Sequence, residues 1–305
     1  MTRVLLLVLA LLAGGAARAE GWAGYGQLSL GSDADDFRGW RARVGALAGY
    51  ESHLRHFGVA AQTTHYSQGD WDLAVPGVIG LWRDQRREDL TGIAAEVGVV
   101  DVADHARVVG DVTWGFRPWG QTGFELIAAG DLVETRAALE EGIAYSFWGA
   151  SVEQGFGDRF TAIAFAGYQP FTDGNARVHL RARLIWLAVP EHGVTAQLRW
   201  RQYESKELDV NGAYFNPGDY NRWEAVLAMR KRFGPWIWSG SAGAGQEQID
   251  RGDRKATYLG EVRGEGPVAG NARLAVHATY TRAAGFADSP DYWYFVAGAT
   301  LMFPF

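Results

Sequence analysis

Apolar and polar positions alternate with a period of two along most of this chain, in runs of about ten residues separated by short polar turns. The run 176–187 is the clearest. Val178, Leu180, Ala182, Leu184 and Trp186 fall on one face, and Arg177, His179, Arg181, Arg183 and Ile185 on the other. A face with four basic groups needs water, while its fully apolar opposite suits lipid or a core. The next run repeats the scheme, with Val194, Ala196, Leu198 and Trp200 opposite Thr195, Gln197, Arg199, Arg201 and Tyr203. Near the start, Trp40, Ala42, Val44, Ala46, Ala48 and Tyr50 alternate with Arg41, Arg43, Gly45, Leu47 and Gly49. That segment carries aromatics at both ends of an apolar band, as the interface girdles of a membrane barrel require.

Runs of this kind predict strands over 22–31, 38–50, 56–66, 75–85, 90–100, 106–116, 122–133, 142–154, 159–169, 176–187, 194–203, 220–232, 236–248, 255–265, 271–282 and 292–305. About sixteen is an even number, as single-chain bacterial barrels have, and fourteen or eighteen stay open. The pattern predicts an all-β fold, a single transmembrane antiparallel barrel over residues 20–305. With both chain ends in the periplasm, connections after even strands read as short, among them Arg86–Asp89 and Phe233–Pro235. Several after odd strands read as longer, acidic outer loops: Ser67–Ala74, Glu204–Asp219 and Ala283–Asp291. Trp71 and Phe215 fall in those loops, as a lid or as loop packing.

The chain ends agree with export to an outer membrane. Arg3 precedes the apolar run Val4 to Ala13, and Ala17-Arg18-Ala19 offers a small-residue cleavage site before Glu20. Residues 1–19 read as a signal peptide, since an anchor needs about 20 apolar residues. At the other end, Trp293, Phe295, Ala297, Ala299, Leu301, Phe303 and Phe305 form one apolar face ending on the terminal residue. This is the type of final strand that barrel-assembly machinery takes up. A soluble β-sandwich is the competing reading.

Composition narrows the function. Asp+Glu outnumber Lys+Arg by 35 to 29, which argues against a nucleic-acid partner. With no cysteine there is neither a disulfide framework nor thiolate chemistry. The 40 glycines and 13 tryptophans, spread over many short segments, suit pleated sheet. No H-E-x-x-H occurs, and His53 and His56 share a turn with nothing nearby to complete a metal shell. His179 and His277 fall on the lumen face, away from the lipid face where an outer-membrane phospholipase would place its Ser/His pair. Glu224 with Arg222 and Glu261 with Arg263 read as wall salt bridges rather than a glycosidase dyad. The residues point to no enzyme, metal or cofactor.

Arginine is the informative side chain. Arg41, Arg43, Arg177, Arg181, Arg183, Arg199, Arg201, Arg230 and Arg232 all fall on the inward register. On neighbouring strands they form a positive wall, which concentrates anions. Alternatively they pair with Glu224, Glu247, Glu261 or inward-folded acidic loops. If the wall dominates over the screened mouth carboxylates, an anionic solute or acidic polymer is preferred and a cationic polymer disfavoured.

Two segments carry a resemblance. Phe171-Thr172-Asp173-Gly174-Asn175-Ala176-Arg177 lies between strands 9 and 10, and Tyr214-Phe215-Asn216-Pro217-Gly218-Asp219-Tyr220 just before strand 12. Both are also good turns. With the terminal strand they resemble the C-terminal porin domains of exopolysaccharide exporters, namely the poly-N-acetylglucosamine and cellulose exporters and the YaiO-like barrels. The resemblance covers roughly residues 130–305. It implies an outer-membrane duct with outer-mouth contacts from Asp173, Asn175, Tyr214, Phe215 and Tyr220, and sugar contacts from Tyr203 beside Arg199 and Arg201. It also implies an inner-membrane synthase and, because the helical-repeat domain of the first two kinds is not in this sequence, a separate periplasmic scaffold protein. A general or anion-selective diffusion porin is the alternative function, and an outer-membrane enzyme the third.

Overall fold

The computed structural model describes residues 21–283 and 292–305; the segment read as a signal peptide lies outside the described residues. Sixteen antiparallel strands follow one another around a closed barrel. The first eight are β1 (Ala23–Asp33), β2 (Arg38–Ser52), β3 (Arg55–Gln68), β4 (Trp71–Gln85), β5 (Gly92–Val102), β6 (His105–Trp119), β7 (Thr122–Leu132) and β8 (Ala144–Phe156). The second eight are β9 (Phe160–Pro170), β10 (Ala176–Val189), β11 (Val194–Ser205), β12 (Asp219–Phe233), β13 (Trp236–Ile249), β14 (Lys255–Pro267), β15 (Arg273–Arg282) and β16 (Trp293–Pro304). The last strand closes on the first in a continuous register from Ala23↔Pro304 to Asp33↔Tyr294. Closure leaves no sheet edge to meet lipid with unpaired N–H and C=O groups.

The period-two alternation becomes an inside and an outside. Leu28, Val78, Val108, Leu184, Leu198 and Leu227 stand exposed around the outer wall, where they form an apolar belt. Trp82, Phe57, Phe160, Trp186 and Phe233 lie toward the end that carries the chain termini, and Trp148, Tyr168, Trp223, Tyr258 and Tyr280 toward the other. These are the two interface girdles that such a barrel requires, and the end with the termini is the periplasmic one. Tyr50 is a correction to the sequence reading. Gly49, at φ +54, sits in an irregularity between Ala48 and Ser52 that reverses the alternation. Tyr50 therefore stacks on His56 on the lumen side, centroids 5.9 Å apart, instead of joining the outer girdle.

The connections also differ in part from expectation. Ser67–Ala74 is not a long loop: β3 and β4 run on to a turn at Gly69-Asp70, with Gln68 paired to Trp71. Trp71 is thus the first residue of a strand. It packs against the loop residue Phe37 at 6.4 Å, and Phe37 in turn stacks on Tyr66 at 5.6 Å. The long outer connections are 133–143, which carries a short helix α1 (Arg136–Glu140) absent from the sequence reading, and 206–218. Most of the predicted loop Ala283–Asp291 lies outside the described residues.

The lumen is asymmetric. On the β2–β6 side Leu47, Ile79, Leu81, Val100 and Val109 bury one another and fill the interior. The larger open space lies against β6–β12 and β14, a cavity of about 810 Å³.

The two faces make opposite demands on charge. Leu184→Arg, on the lipid face, is expected to cost about 2–4 kcal/mol, whereas Ser151→Arg, which faces Glu125 across the strand pair on the lumen side, should stay within about 1 kcal/mol. Reversible urea unfolding in phospholipid bilayers reads both; equal costs would mean the faces are assigned wrongly.

Candidate functional site

The outer mouth is built from the two segments that the sequence singled out, and the fold brings them together. Asn175 is buried where β9 turns into β10. Its side-chain amide donates to Tyr214 Oη (3.0 Å) and Asn216 Oδ1 (2.9 Å), and its Oδ1 accepts from the N–H groups of Ala176 (2.7 Å) and Glu207 (3.0 Å). All four of its side-chain hydrogen-bonding positions are used. Tyr214 Oη donates to Asp173 Oδ2 at 2.7 Å. Burial first, and then the Asp173 carboxylate, push this phenol up to about 12, so it keeps the proton it donates. The Phe171 and Tyr214 rings stack at 5.0 Å.

Arg177 closes this unit from below. Its guanidinium donates to the Phe215 carbonyl, to Asn216 Oδ1 and to Ser205 Oγ, and lies over the rings of Phe171, Tyr203 and Tyr214. Sequence reasoning placed Arg177 in the open wall; here it anchors the 206–218 loop. Tyr220 stacks on Tyr203 at 4.6 Å and donates to the buried Glu247 at 2.6 Å. Phe215 meets the edge of Tyr220 at 6.4 Å, so it packs inward.

The second long loop joins the first. Thr135 caps α1 by accepting from the Ala138 N–H, and its hydroxyl donates to the Ala213 carbonyl at 2.5 Å. Glu134 accepts from Tyr66 Oη (3.0 Å) and pairs with Arg41 (3.4 Å), which also reaches Asp131 (3.5 Å). The loops 133–143 and 206–218 are therefore tied to each other and to strands across the mouth. A cavity of about 520 Å³ runs between Arg41, Tyr66, Arg177, Tyr214 and Tyr294.

The inward arginines divide into two groups. Arg43 is buried and committed to Gln62 and Glu96, both at 2.6 Å. With Arg41 it belongs to the structural wall, so neither stands as an open lumen charge. Arg222 pairs with Glu224, as the sequence suggested, but Arg263 does not pair with Glu261; Ser241 Oγ donates to that carboxylate at 3.0 Å. The other group is Arg181, Arg183, Arg199 and Arg201, in which Arg181 lies directly opposite Arg201 and Arg183 opposite Arg199. None makes an ion pair among the described residues. All four line the large cavity. Arg230 lines a further cavity of about 510 Å³ toward the periplasmic end with Arg263 and His277, and Arg232 is exposed near that end of β12.

Sequence reasoning missed the acidic partners Glu96, Asp131 and Glu134 and the lumen rings Phe147 and Phe165. The acids lie 53 to 93 residues from the arginines they meet. The phenylalanines do fall on the inward parity of β8 and β9, a signal that was available.

Set beside known structures, the chain superposes on a bacterial polysaccharide outer membrane secretin with a TM-score of 0.67 and 13% identity, covering 93% of this chain and 98% of the other. It also matches Pseudomonas aeruginosa OpdQ (TM-score 0.47, 9% identity, 94% and 99% covered) and Pseudomonas aeruginosa OccK7 (0.46, 11%, 93% and 97%). No family model matches the chain, and no curated protein sequence does. The chain has the outer-membrane barrel fold. Its closed sheet and apolar belt belong to the outer membrane of a Gram-negative cell.

Asn175 is the residue on which the mouth turns. Asn175→Ala leaves Tyr214, Asn216 and two backbone donors without their partner and should raise the undocked fraction of loop 206–218 by roughly tenfold or more. Trypsin cleavage at Lys206 in the folded, heat-modifiable barrel is the measurement, and an unchanged cleavage rate would show that the loop is held by something else.

Proposed function

We propose that this barrel is a passive duct that carries an exopolysaccharide outward across the outer membrane. The observation that carries the reading is the mouth itself. The two segments resembling exopolysaccharide exporters, remote in sequence, meet in one hydrogen-bonded unit above the lumen. The similarity in fold to a polysaccharide outer membrane secretin, over nearly all of that chain, supports the same reading.

The physical requirements of such a duct agree with the residues present. Sixteen strands leave room for a hydrated channel. A sugar chain offers hydroxyls to polar side chains and flat C–H faces to aromatic rings. Tyr203, Tyr214 and Tyr220 are buried and spend their faces on one another, Phe171 and Arg177, so they shape the mouth. Rings that line open lumen lie deeper, at Phe147 and Phe165. The loops 133–143 and 206–218 narrow the mouth, so an emerging polymer has to displace or thread past them. The duct performs no chemical step. It would be inserted by barrel-assembly machinery after loss of residues 1–19, and fed by an inner-membrane synthase through a periplasmic scaffold protein.

Deletion of the gene is expected to abolish surface polysaccharide, and the intact gene in trans to restore it. Unchanged secretion in the deletion strain would remove the export reading.

The unpaired arginines favour a second reading, an anion-selective diffusion pore. In planar bilayers under a salt gradient, the native barrel should show anion preference, and Arg181→Glu with Arg199→Glu should reduce or reverse it. Cation preference in the native pore would mean that these arginines do not set the lumen potential.

A further inference from the structure

Midway down the lumen, the four unpaired arginines stand beside an aromatic surface that the mouth does not use. Phe147 on β8 and Phe165 on β9 face inward with their rings 5.8 Å apart and 5° from parallel. Both lie flat because glycines sit beneath them. A Cβ on Gly149 would come within 2.5 Å of the Phe165 ring, and one on Gly167 within 2.7 Å of Phe147. Laying a ring across a glycine is a known way to cover bare backbone in a sheet. Both residues line the 810 Å³ cavity, and His179 meets Phe147 at 5.5 Å in a T-shaped contact. Arg181 extends over Phe165, its guanidinium carbon 5.1 Å from the ring centroid.

The charge at this level is not neutralised locally. Glu153 is committed to Arg117 at 2.7 Å and Glu224 to Arg222, while Glu261 accepts from Ser241. Among the carboxylates of the cavity's strand walls, that leaves Glu125 on β7 and Glu261 on β14, whose charge the serine does not cancel, against four guanidiniums on β10 and β11. Like charges directly opposite on neighbouring strands destabilise a sheet. A ligand anion removes that repulsion, and an arginine fork is shaped for a carboxylate.

Resting on the duct reading, we propose that Phe147, Phe165, Arg181, Arg183, Arg199 and Arg201 form a subsite for an acidic sugar unit of the passing polymer. The pyranose C–H face packs on the Phe147–Phe165 surface, and the uronate carboxylate enters the arginine cluster. The transported polysaccharide is accordingly one that carries carboxylates along its chain. Stacking without charge would suit a neutral glucan, and charge without stacking would suit any small anion. The two side by side select a sugar acid.

The test uses the whole barrel, purified in detergent and reconstituted in planar bilayers, with tetragalacturonate, cellotetraose and inorganic sulfate as probes. Tetragalacturonate is expected to interrupt single-channel current and to bind at least about tenfold more tightly than cellotetraose or sulfate. Arg181→Gln with Arg199→Gln should weaken tetragalacturonate about tenfold or more without changing cellotetraose. Phe165→Leu keeps the apolar bulk over Gly149 and should weaken tetragalacturonate severalfold while leaving sulfate unchanged. Heat-modifiable migration of each variant confirms the fold, and Phe147→Leu serves if Phe165→Leu fails to assemble. Sulfate binding as tightly as tetragalacturonate, or no loss in either phenylalanine variant, would overturn the sugar subsite. Loss of secretion on gene deletion with no tetragalacturonate binding overturns the acidic subsite and leaves the duct. Binding with unchanged secretion does the reverse.

Discussion

Everything in this molecule depends on one demand: in hydrocarbon, each backbone N–H and C=O must find a partner within the protein. A sheet meets it only by closing, and β16 meeting β1 along eleven consecutive residue pairs supplies that closure. Closure then fixes which side chains face water. In a closed sheet with a lipid face, a one-residue slip would turn Arg181, Arg183, Arg199 and Arg201 into the bilayer and Leu184 and Leu198 into the lumen. The lumen chemistry is thus held in place by the outer belt. The arginines oppose one another because Leu180, Leu184 and Leu198 must face lipid.

This explains what the sequence made legible. Alternation at 176–187 and 194–203 has a single arrangement that satisfies both solvents, so the strands and the inward sense of their arginines could be read directly. Local conformation was harder. Gly69-Asp70-Trp71-Asp72 looks like an acidic loop, yet Trp71, Leu73 and Val75 already alternate, and two acidic residues at a strand end above the membrane cost little. At Gly49 one residue at positive φ reverses the alternation, and nothing in the composition of 38–50 marks the reversal. The pairing of charges was the least legible of all. Arg43 and Arg181 have the same neighbours in pattern, but Glu96 reaches Arg43 from a strand 53 residues away. Period-two reasoning gives a side chain its face and says nothing about what stands across the lumen.

The mouth shows a different balance. Its loops have no lipid to order them, so they are ordered by saturating a few polar side chains. Asn175 bonds at every position, Tyr214 holds Asp173, and Arg177 takes carbonyl, amide and hydroxyl acceptors with rings stacked around it. Buried polar networks of this kind are strong when complete and costly when one member is lost. The β9–β10 turn carries the residue that completes it, which ties the loop after β11 to a rigid strand end.

The two groups of arginine therefore do opposite things to the energy of the barrel. Arg41, Arg43 and Arg222 have carboxylates within reach; Arg41 and Arg43 join strands or loops across the interior, and Arg222 pairs with Glu224 along β12. The other four stand in two directly opposed like-charged pairs, each pair costing roughly what a favourable cross-strand pair contributes, about 0.2–1 kcal/mol. Lumen water and salt soften that repulsion over a Debye length of about 8 Å, but adjacent side chains lie closer than this and stay coupled. Nothing in the fold requires them there: Gln197 and Thr195 show that neutral polar residues fit the same lumen face of β11. Ring contacts of Arg181 with Phe165 and of Arg201 with Tyr203 and Tyr220, and the carboxylates of Glu125 and Glu261 in the same cavity, offset part of that cost. Four guanidiniums against two carboxylates still leave the lumen positive at this level, so an anion that enters there is attracted.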